Sequence, residues 1–183
     1  MIKNYSEYKN YLKKECGDIK NNWFIIYYLK SYFEFKPTMR FLLLLRTCEY
    51  YKNTKKGSFN KVIYIFLKYL KYRLGIRLGF TIPENVAKKG LQLPHYGTIV
   101  MNANTKIGEN CRIHVCTNIG TSGGSNQAPI IGNNVYIGPG VKIYGDINIA
   151  DNISIAANAA VSKSFTEKGV VIGGVPAKIL SRE

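Results

Sequence analysis

Residues 107–161 read IGENCRIHVCTNIGTSGGSNQAPIIGNNVYIGPGVKIYGDINIADNISIAANAAV, and an aliphatic residue returns at nearly every sixth position. A period of six belongs neither to a helix nor to a simple alternating strand. It fits a short strand, a corner and one inward side chain per face, so that three faces close a triangular coil of roughly eighteen residues. Only Ser125 breaks the series, whose members are Ile107, Ile113, Ile119, Ile131, Ile137, Ile143, Ile149, Ile155 and Val161.

Stacked coils of this kind place residues eighteen apart in vertical ladders. The expected ladders are His95, Ile113, Ile131 and Ile149; Met101, Ile119, Ile137 and Ile155; and Ile107, Ser125, Ile143 and Val161. Small residues after the aliphatic positions, such as Gly108 and Gly132, suit tight corners. A meander of strands in a sandwich or barrel would instead show a period of two with turns every eight to twelve residues. The pattern therefore predicts a mainly β fold of stacked parallel coils.

One Gly- and Ser-rich stretch, GTSGGSNQAP at residues 120–129, interrupts the repeats. Because Ile119 and Ile131 are twelve positions apart, the phase of six survives it. The stretch is either one degenerate face of a coil or a loop that leaves and rejoins the coil at the same corner.

Charge is distributed unevenly along the 183 residues, whose formal net charge is +15. Residues 1–80 contain 17 Lys and Arg against 5 Asp and Glu, whereas residues 81–183 contain 9 against 6. A positive field of this size attracts nucleic acid, an anionic membrane surface or a polyanionic substrate, and charge alone does not distinguish them. We predict a basic helical region at 1–78 and a β domain at 79–183.

Helices are expected in the basic region, with one or two in residues 1–33 and another from Thr38 to Tyr51, after Pro37. Residues 59–75, FNKVIYIFLKYLKYRLG, predict a helix with one apolar face, made of Ile63, Phe66, Leu67, Leu70 and Leu74. Two interpretations of this segment remain. It packs on the β domain or on a neighbouring subunit, or it rests as a basic amphipathic helix on an anionic membrane. No groove-reading or base-stacking module accompanies it, so we expect no nucleic-acid partner.

The cysteines Cys16, Cys48, Cys111 and Cys116 show neither a close CxxC pair nor a metal-ligand spacing with histidine. We expect free thiols, no metal and a cytoplasmic location, at most peripheral to the inner face of a membrane. No signal sequence is recognisable near the N-terminus, and charged residues interrupt every apolar run of about eighteen residues.

Two histidines, His95 and His114, are candidates for acid–base chemistry, because an imidazole titrates near neutral pH. His95 lies in LPHYGTIV (93–100), at an exposed corner of an early coil. The repeats IGENCR, IGNNVY and IGPGVK, this histidine segment and GGVPAKIL (173–180) resemble the hexapeptide-repeat acyltransferases, particularly serine acetyltransferases and polysaccharide O-acetyltransferases. The resemblance runs from about Ile82 to Leu180. It implies a left-handed parallel β-helix, a homotrimer with sites between subunits, and acetyl-CoA as the acyl donor.

The resemblance also implies roles for individual residues. His95 would act as the general base that deprotonates an acceptor hydroxyl, which then attacks the thioester directly. His114 either lines the same cleft or caps a corner, and Tyr96 and Asn118, with Asn102 and Asn104 nearby, offer neutral hydrogen bonds to the acceptor. For the cofactor we expect a groove along small residues, backbone N–H groups for the developing oxyanion, and two lysines for the phosphates. These residues are Gly138, Gly140, Ala156 and Ala157 for the groove, Gly120 and Thr121 for the oxyanion, and Lys163 and Lys178 for the phosphates.

Two departures from serine acetyltransferases concern the acceptor. Phe80–Pro83 lacks the aspartate that orients the base in those enzymes, and Glu84 is the nearest substitute. Ala128-Pro129 stands where they carry a histidine before proline. The expected acceptor is therefore a saccharide hydroxyl of a capsule, exopolysaccharide or lipid-linked repeat unit. The alternatives are serine O-acetyltransferase itself and a non-catalytic scaffold.

Overall fold

Four helices make up the first unit of the chain, Met1–Leu78, in the computed structural model, which describes residues 1–17, 24–34 and 36–182. They are α1 (Tyr5–Cys16), α2 (Phe24–Phe33), α3 (Pro37–Thr54) and α4 (Ser58–Leu78). α1 begins where the Asn4 side chain accepts a hydrogen bond from the backbone N–H of Glu7 at 2.8 Å. The expected helices are present, although the part of that prediction covering residues 18–23 lies outside the described residues.

Helix α3 is the core of this unit, because residues 41–50 are all buried and the other three helices pack against it. Arg46 lies in this core without exposure. Its Nε and Nη2 donate to the Glu15 carboxylate at 2.8 Å each, and its Nη1 donates to Glu49 at 2.8 and 3.1 Å. Burial lowers the pKa of Arg46, but the two carboxylates raise it by more. The buried charges therefore compensate one another.

Helix α4 presents two apolar faces instead of the single face expected from its sequence. Leu67 is buried against Leu44 and Cys48 of α3, with Leu70 and Leu74 packed beside it. Phe66 was assigned to the same face, but 59% of it is exposed. The assignment was wrong because Phe66 lies about 100° of helical rotation away from Leu67. It belongs to an outward apolar face.

Thirteen short strands form the second unit, Gly79–Glu183, in the described part of the chain. They form three walls of a triangular prism, in which every strand pair except β12–β13 is parallel. Wall A contains β1 (Phe80–Thr81), β2 (Ile99–Met101), β5 (Thr117–Gly120), β8 (Lys142–Tyr144) and β11 (Ala160–Val161). Wall B contains β3 (Lys106–Ile107), β6 (Ile130–Ile131) and β9 (Asn148–Ile149). Wall C contains β4 (Arg112–Ile113), β7 (Tyr136–Ile137), β10 (Ser154–Ile155), β12 (Val170–Gly173) and β13 (Lys178–Arg182).

The inward residues form ladders whose register changes across residues 120–129. Met101 pairs with Ile119, and Ile143 with Val161, at the expected spacing of eighteen. Across the interruption, however, Ile119 pairs with Ile143, twenty-four residues on. The interruption is therefore a loop that leaves and rejoins the prism, which was the second interpretation. The predicted ladders are wrong where they cross it, and Ser125 is an exposed loop residue.

His95 is also absent from the ladder predicted for it. Gln92 bridges to Arg112, and the Ile113 backbone N–H donates to the Gln92 carbonyl at 3.0 Å, so the buried Leu93 lies next to Ile113. The early coil is about two residues longer than the regular ones. Because of this extra length, His95 lies exposed at a corner and not in the interior.

Gly108 and Gly132 are needed at their corner for close stacking and not for turning, since neither has a positive φ. A Cβ on Gly132 would lie 2.5 Å from Asp151 Oδ1 in the next coil. Left-handed backbone at the same corner is supplied by Asn110, Asn134 and Asn152, with φ of 56°, 55° and 59°. Their side chains hydrogen-bond in a column at 3.1 and 3.0 Å. Asparagine is one of the few residues that adopts this conformation readily.

The prism continues past Phe165. Phe165 bridges to Ile149, then β12 adds to wall C, and β13 returns antiparallel against it. The antiparallel strand closes the stack of parallel strands with a hairpin. GGVPAKIL, at 173–180, forms the turn of this hairpin and the start of β13.

Candidate functional site

One edge of the prism carries both histidines. We call it the histidine edge and define it as the segments that connect wall C to wall A, residues 93–98, 114–116, 138–141 and 156–159. His95 and the 68% exposed Tyr96 lie in its first segment, and His114 lies in the second. Successive coils therefore place the two histidines next to each other.

The imidazole rings of His95 and His114 have centroids 5.9 Å apart, and the ring of Tyr136 lies 5.1 Å from that of His114. His95 is exposed and His114 is half-buried. Nε2 of His114 is shielded from solvent, and no hydrogen-bond partner for it occurs in the described residues. Burial, then Arg112 and His95, lower the pKa of His114. At neutral pH His114 is therefore an uncharged neighbour of the exposed His95.

The small residues predicted for a cofactor groove continue along the same edge. Backbone bonds connect them: His114 N–H donates to Ile137 O at 3.0 Å, and Gly138 N–H donates to Ile155 O at 2.9 Å. A Cβ on Gly138 would lie 2.8 Å from that same Ile155 oxygen. Below the histidines the edge is thus a strip of backbone, formed by Gly138, Gly140, Ala156 and Ala157.

Gly120, Thr121 and Lys163 lie on a different edge of the same chain. This loop edge connects wall A to wall B through residues 102–105, 121–129, 145–147 and 162–164, and it contains the GTSGGSNQAP loop. Gly120 and His114 are at opposite ends of β5, so within one chain the proposed oxyanion amides do not approach His95. Asn102 and Asn104 also lie here. Asn102 accepts a bond from the Asn104 N–H at 2.9 Å, and Asn104 Nδ2 donates to Asn126 O.

The structure brings Lys163 and Lys178, the two lysines predicted to hold phosphates, to one cavity. Both line an open cavity of about 380 Å³ near the C-terminal hairpin. Lys163 Nζ lies 5.6 Å from the ring centroid of Phe165, on the cavity wall. The Glu167 carboxylate is on the same wall and accepts from Arg182 Nε at 2.7 Å, so the negative charge there has a partner.

Two predicted site residues remain, Asn118 and Glu84. Asn118 is exposed on wall A, and its N–H donates to Val141 O at 3.0 Å. Glu84 is half-buried in the turn after β1. The orienting role of Glu84 stays a prediction.

Arg112 is a residue that the sequence analysis missed. It is exposed on β4 and close enough to His114 to lower its pKa. Side chains two apart on a strand share a face, so the spacing of Arg112 and His114 was a usable signal. Arg112 places a permanent positive charge beside the histidine pair.

The four cysteines are free thiols. Burial raises the pKa of Cys111 to about 11, and its Sγ lies 3.2 Å from Gly132 O, so it is not a nucleophile at neutral pH. Cys116 is exposed on the histidine edge with φ of 60°. Nowhere in residues 1–17, 24–34 and 36–182 do three or more His, Cys, Asp or Glu side chains form a group that could hold a metal ion.

A parallel prism of six-residue repeats with a histidine edge is similar to the hexapeptide-repeat transferases, and comparisons with known proteins agree with this similarity. Residues 128–163 match the family described as bacterial transferase hexapeptide (six repeats). A crystal structure of serine acetyltransferase from Brucella abortus strain S19 superposes with a TM-score of 0.63 at 25% identity, over 80% of this chain and 57% of that one. The predicted left-handed parallel β-helix, preceded by helices, is confirmed.

Within this class the chain is similar to serine acetyltransferases. It is 32% identical to that of Mycobacterium tuberculosis over 92 residues, which is 49% of this chain and 40% of the relative. It is also 32% identical to that of Buchnera aphidicola subsp. Schizaphis graminum over 118 residues, or 62% of this chain and 45% of the relative. The chain thus spans less than half the length of these relatives. The resemblance to hexapeptide-repeat acyltransferases of the serine acetyltransferase type is confirmed.

Proposed function

We propose that this protein is an O-acetyltransferase that moves the acetyl group of acetyl-CoA to an acceptor hydroxyl. His95 removes the proton from the hydroxyl, the oxygen attacks the thioester carbonyl, and the CoA thiolate leaves. The direct transfer requires no acyl-enzyme, and the buried thiol of Cys111 keeps its proton. The observation that carries the proposal is the exposed His95 beside an uncharged His114, at the head of a strip of small residues.

The choice of donor is supported by two solved structures with the same fold. One is titled serine acetyltransferase in complex with CoA, with a TM-score of 0.61 at 23% identity. The other is the Brucella abortus enzyme in complex with coenzyme A, with a TM-score of 0.62 at 24% identity. In this chain, the strip of small residues would let the pantetheine arm lie against the backbone. The strip consists of Gly138, Gly140, Ala156 and Ala157. Lys163 and Lys178 would hold the phosphates at the other end.

For the acceptor, the comparisons favour serine over the saccharide that the sequence analysis put first. The curated relatives described above are serine acetyltransferases. Arg112 adds a specific reason, because a cation beside His114 suits the carboxylate of an amino acid. We therefore propose serine as the first acceptor to test.

A saccharide hydroxyl is the second candidate acceptor. Tyr96 is 68% exposed next to His95, and Tyr136 lies against His114, so neutral aromatic surfaces border the catalytic base. Sugar rings stack on such surfaces, and their hydroxyls need neutral hydrogen-bonding partners. The lack of an acidic residue in Phe80–Pro83 and of a histidine at Ala128 also supports this candidate.

We further propose that the active form is a homotrimer. His95 and the Gly120–Thr121 amides lie on different edges of one prism, so a site that uses both needs the loop edge of a second copy. Ile130 and Tyr144, 51% and 40% exposed, offer apolar contacts on walls B and A. Light scattering at micromolar concentration should give three times the chain mass, and a monomer with full activity would refute the arrangement.

The test of the proposed function is a thiol-release assay with acetyl-CoA against serine and against a panel of free and lipid-linked oligosaccharides. The proposal expects acetyl-CoA turnover that depends on one acceptor class and is lost in His95→Ala. Turnover with serine alone selects the first candidate, and turnover with a saccharide alone selects the second. Absence of transfer and of thioester hydrolysis, with a folded trimer, would leave only the scaffold function.

Arg112→Gln separates the two acceptors further, with Lys106→Gln on wall B as a matched exposed control. If the guanidinium binds a carboxylate, Arg112→Gln raises the KM for serine about tenfold to a hundredfold. The same change should leave the KM for a neutral saccharide unaltered. An unchanged KM for serine would remove Arg112 from the acceptor site.

A further inference from the structure

Helix α4 exposes a second apolar face that nothing in the described residues covers. Seven large apolar or aromatic side chains on this helix are between 51% and 77% exposed: Phe59, Val62, Ile65, Phe66, Tyr69, Tyr72 and Ile76. At about 100° per residue they form one stripe, which extends for roughly 26 Å along the helix. Isolated exposed apolar residues are normal, but a continuous stripe marks an interaction surface.

Cations border this stripe on both sides. By the same helical rotation, Lys61 and Lys68 flank one border and Arg77 lies at the other, while Arg73 lies within the stripe; all four are exposed. No acidic residue occurs anywhere from Tyr50 to Pro83, a run of 34 residues that contains eight Lys and Arg. The partner therefore combines an apolar interior with a negatively charged surface.

We propose that the outer face of α4 lies in the plane of an anionic lipid bilayer. The aromatic and aliphatic side chains enter the boundary between headgroups and acyl chains, and the flanking cations contact the headgroup phosphates. In the described part of the chain no helix is long and apolar enough to cross a membrane, so the contact is peripheral. Pairing with α4 of a second copy is disfavoured, because it would bring the four exposed cations of each helix together.

This inference rests on the helical unit alone and is independent of the proposed function. Its consequence is that the enzyme works next to a membrane, whichever acceptor it uses. A membrane location would place the enzyme close to a lipid-borne acceptor. It would not bring the enzyme closer to a soluble acceptor such as serine.

The test is co-sedimentation of the full chain with vesicles of phosphatidylcholine alone or of equal parts phosphatidylcholine and phosphatidylglycerol. Binding is expected only to the anionic vesicles, and it should weaken as salt rises. Lys61→Gln with Arg73→Gln removes two of these four charges and should lower the partition coefficient about thirtyfold. Lys13→Gln with Lys14→Gln removes the same charge from the exposed end of α1 and should have little effect.

The apolar contribution is measured separately. Ile65→Asn with Ile76→Asn should lower binding at least about tenfold, whereas Val175→Asn with Leu180→Asn removes two equally exposed apolar side chains elsewhere and should not. All of these positions are exposed, so the variants are expected to fold, and circular dichroism checks this.

Absence of binding to anionic vesicles, equal binding to neutral ones, or equal losses in the control pairs would each overturn the proposal. A concentration-dependent rise in mass that Ile65→Asn with Ile76→Asn abolishes would assign the face to a second copy. Binding of a single-stranded oligonucleotide through the same cations, without vesicle binding, would assign it to nucleic acid.

Discussion

Replacing His95 by alanine is expected to lower kcat for acetyl transfer about 10²- to 10⁴-fold, the usual contribution of a general base. This loss corresponds to about 2.7–5.4 kcal/mol of transition-state stabilisation. His95 is exposed at a corner and outside the inward ladders, so the free energy of unfolding should change by less than about 0.5 kcal/mol. The effect on catalysis is thus far larger than the effect on stability.

The assay follows CoA release with a thiol reagent, first with the acceptor varied at saturating acetyl-CoA and then with acetyl-CoA varied at saturating acceptor. The KM for acetyl-CoA should change little in His95→Ala, because the base contacts the acceptor hydroxyl. His114→Ala should cost less, since this uncharged ring neighbours the base at a centroid separation of 5.9 Å. If His114 acts by positioning His95, the double variant loses no more than His95→Ala alone.

Two results would refute this reasoning. Equal and small losses for His95→Ala and His114→Ala would show that the base is another group. A loss in His95→Ala that is matched by a lower melting temperature would show that the residue supports the fold.

Arg46→Met removes the guanidinium that pairs with two buried carboxylates and should destabilise the helical unit by about 3–5 kcal/mol in urea unfolding. A cost below about 1 kcal/mol would contradict the ion-pair account. Gly132→Ala places a Cβ 2.5 Å from the next coil and should cost about 1–3 kcal/mol, whereas Gly120→Ala, whose nearest contact is 3.4 Å, should cost less. His114 should titrate below its ordinary value of 6.5 in an NMR titration. Between its folded pKa and 6.5 the unfolded chain binds more protons, so this residue's contribution lowers stability as pH falls through that range; a pKa above 6.5 would reverse the sign.

Much of the prism could be predicted from the sequence because each coil obeys a local rule. An inward aliphatic residue is required at every face, and Ile107, Ile113 and the residues that follow report it independently of what lies elsewhere. The helices could also be predicted from the sequence, and Pro37 marks the start of α3. His95 could be proposed because its segment resembles a known one.

The residues missed or misplaced depend on which coil stacks on which. Ile119 could be paired with Ile137 or with Ile143 under the same period, and only the hydrogen bonds of wall A select Ile143. Arg112 is two residues from His114 in the sequence, but the burial that lowers the pKa of His114 is a property of the fold.

The sequence by itself determined the repeating coil, the excess of positive charge in the first 80 residues and the presence of two candidate histidines, because these are properties of composition and spacing. Only the tertiary structure decided that residues 120–129 leave the prism, that His114 joins His95 on one edge, and that α4 is apolar on both faces. A helix of that composition has two candidate buried faces, and packing against α3 decides which one remains exposed.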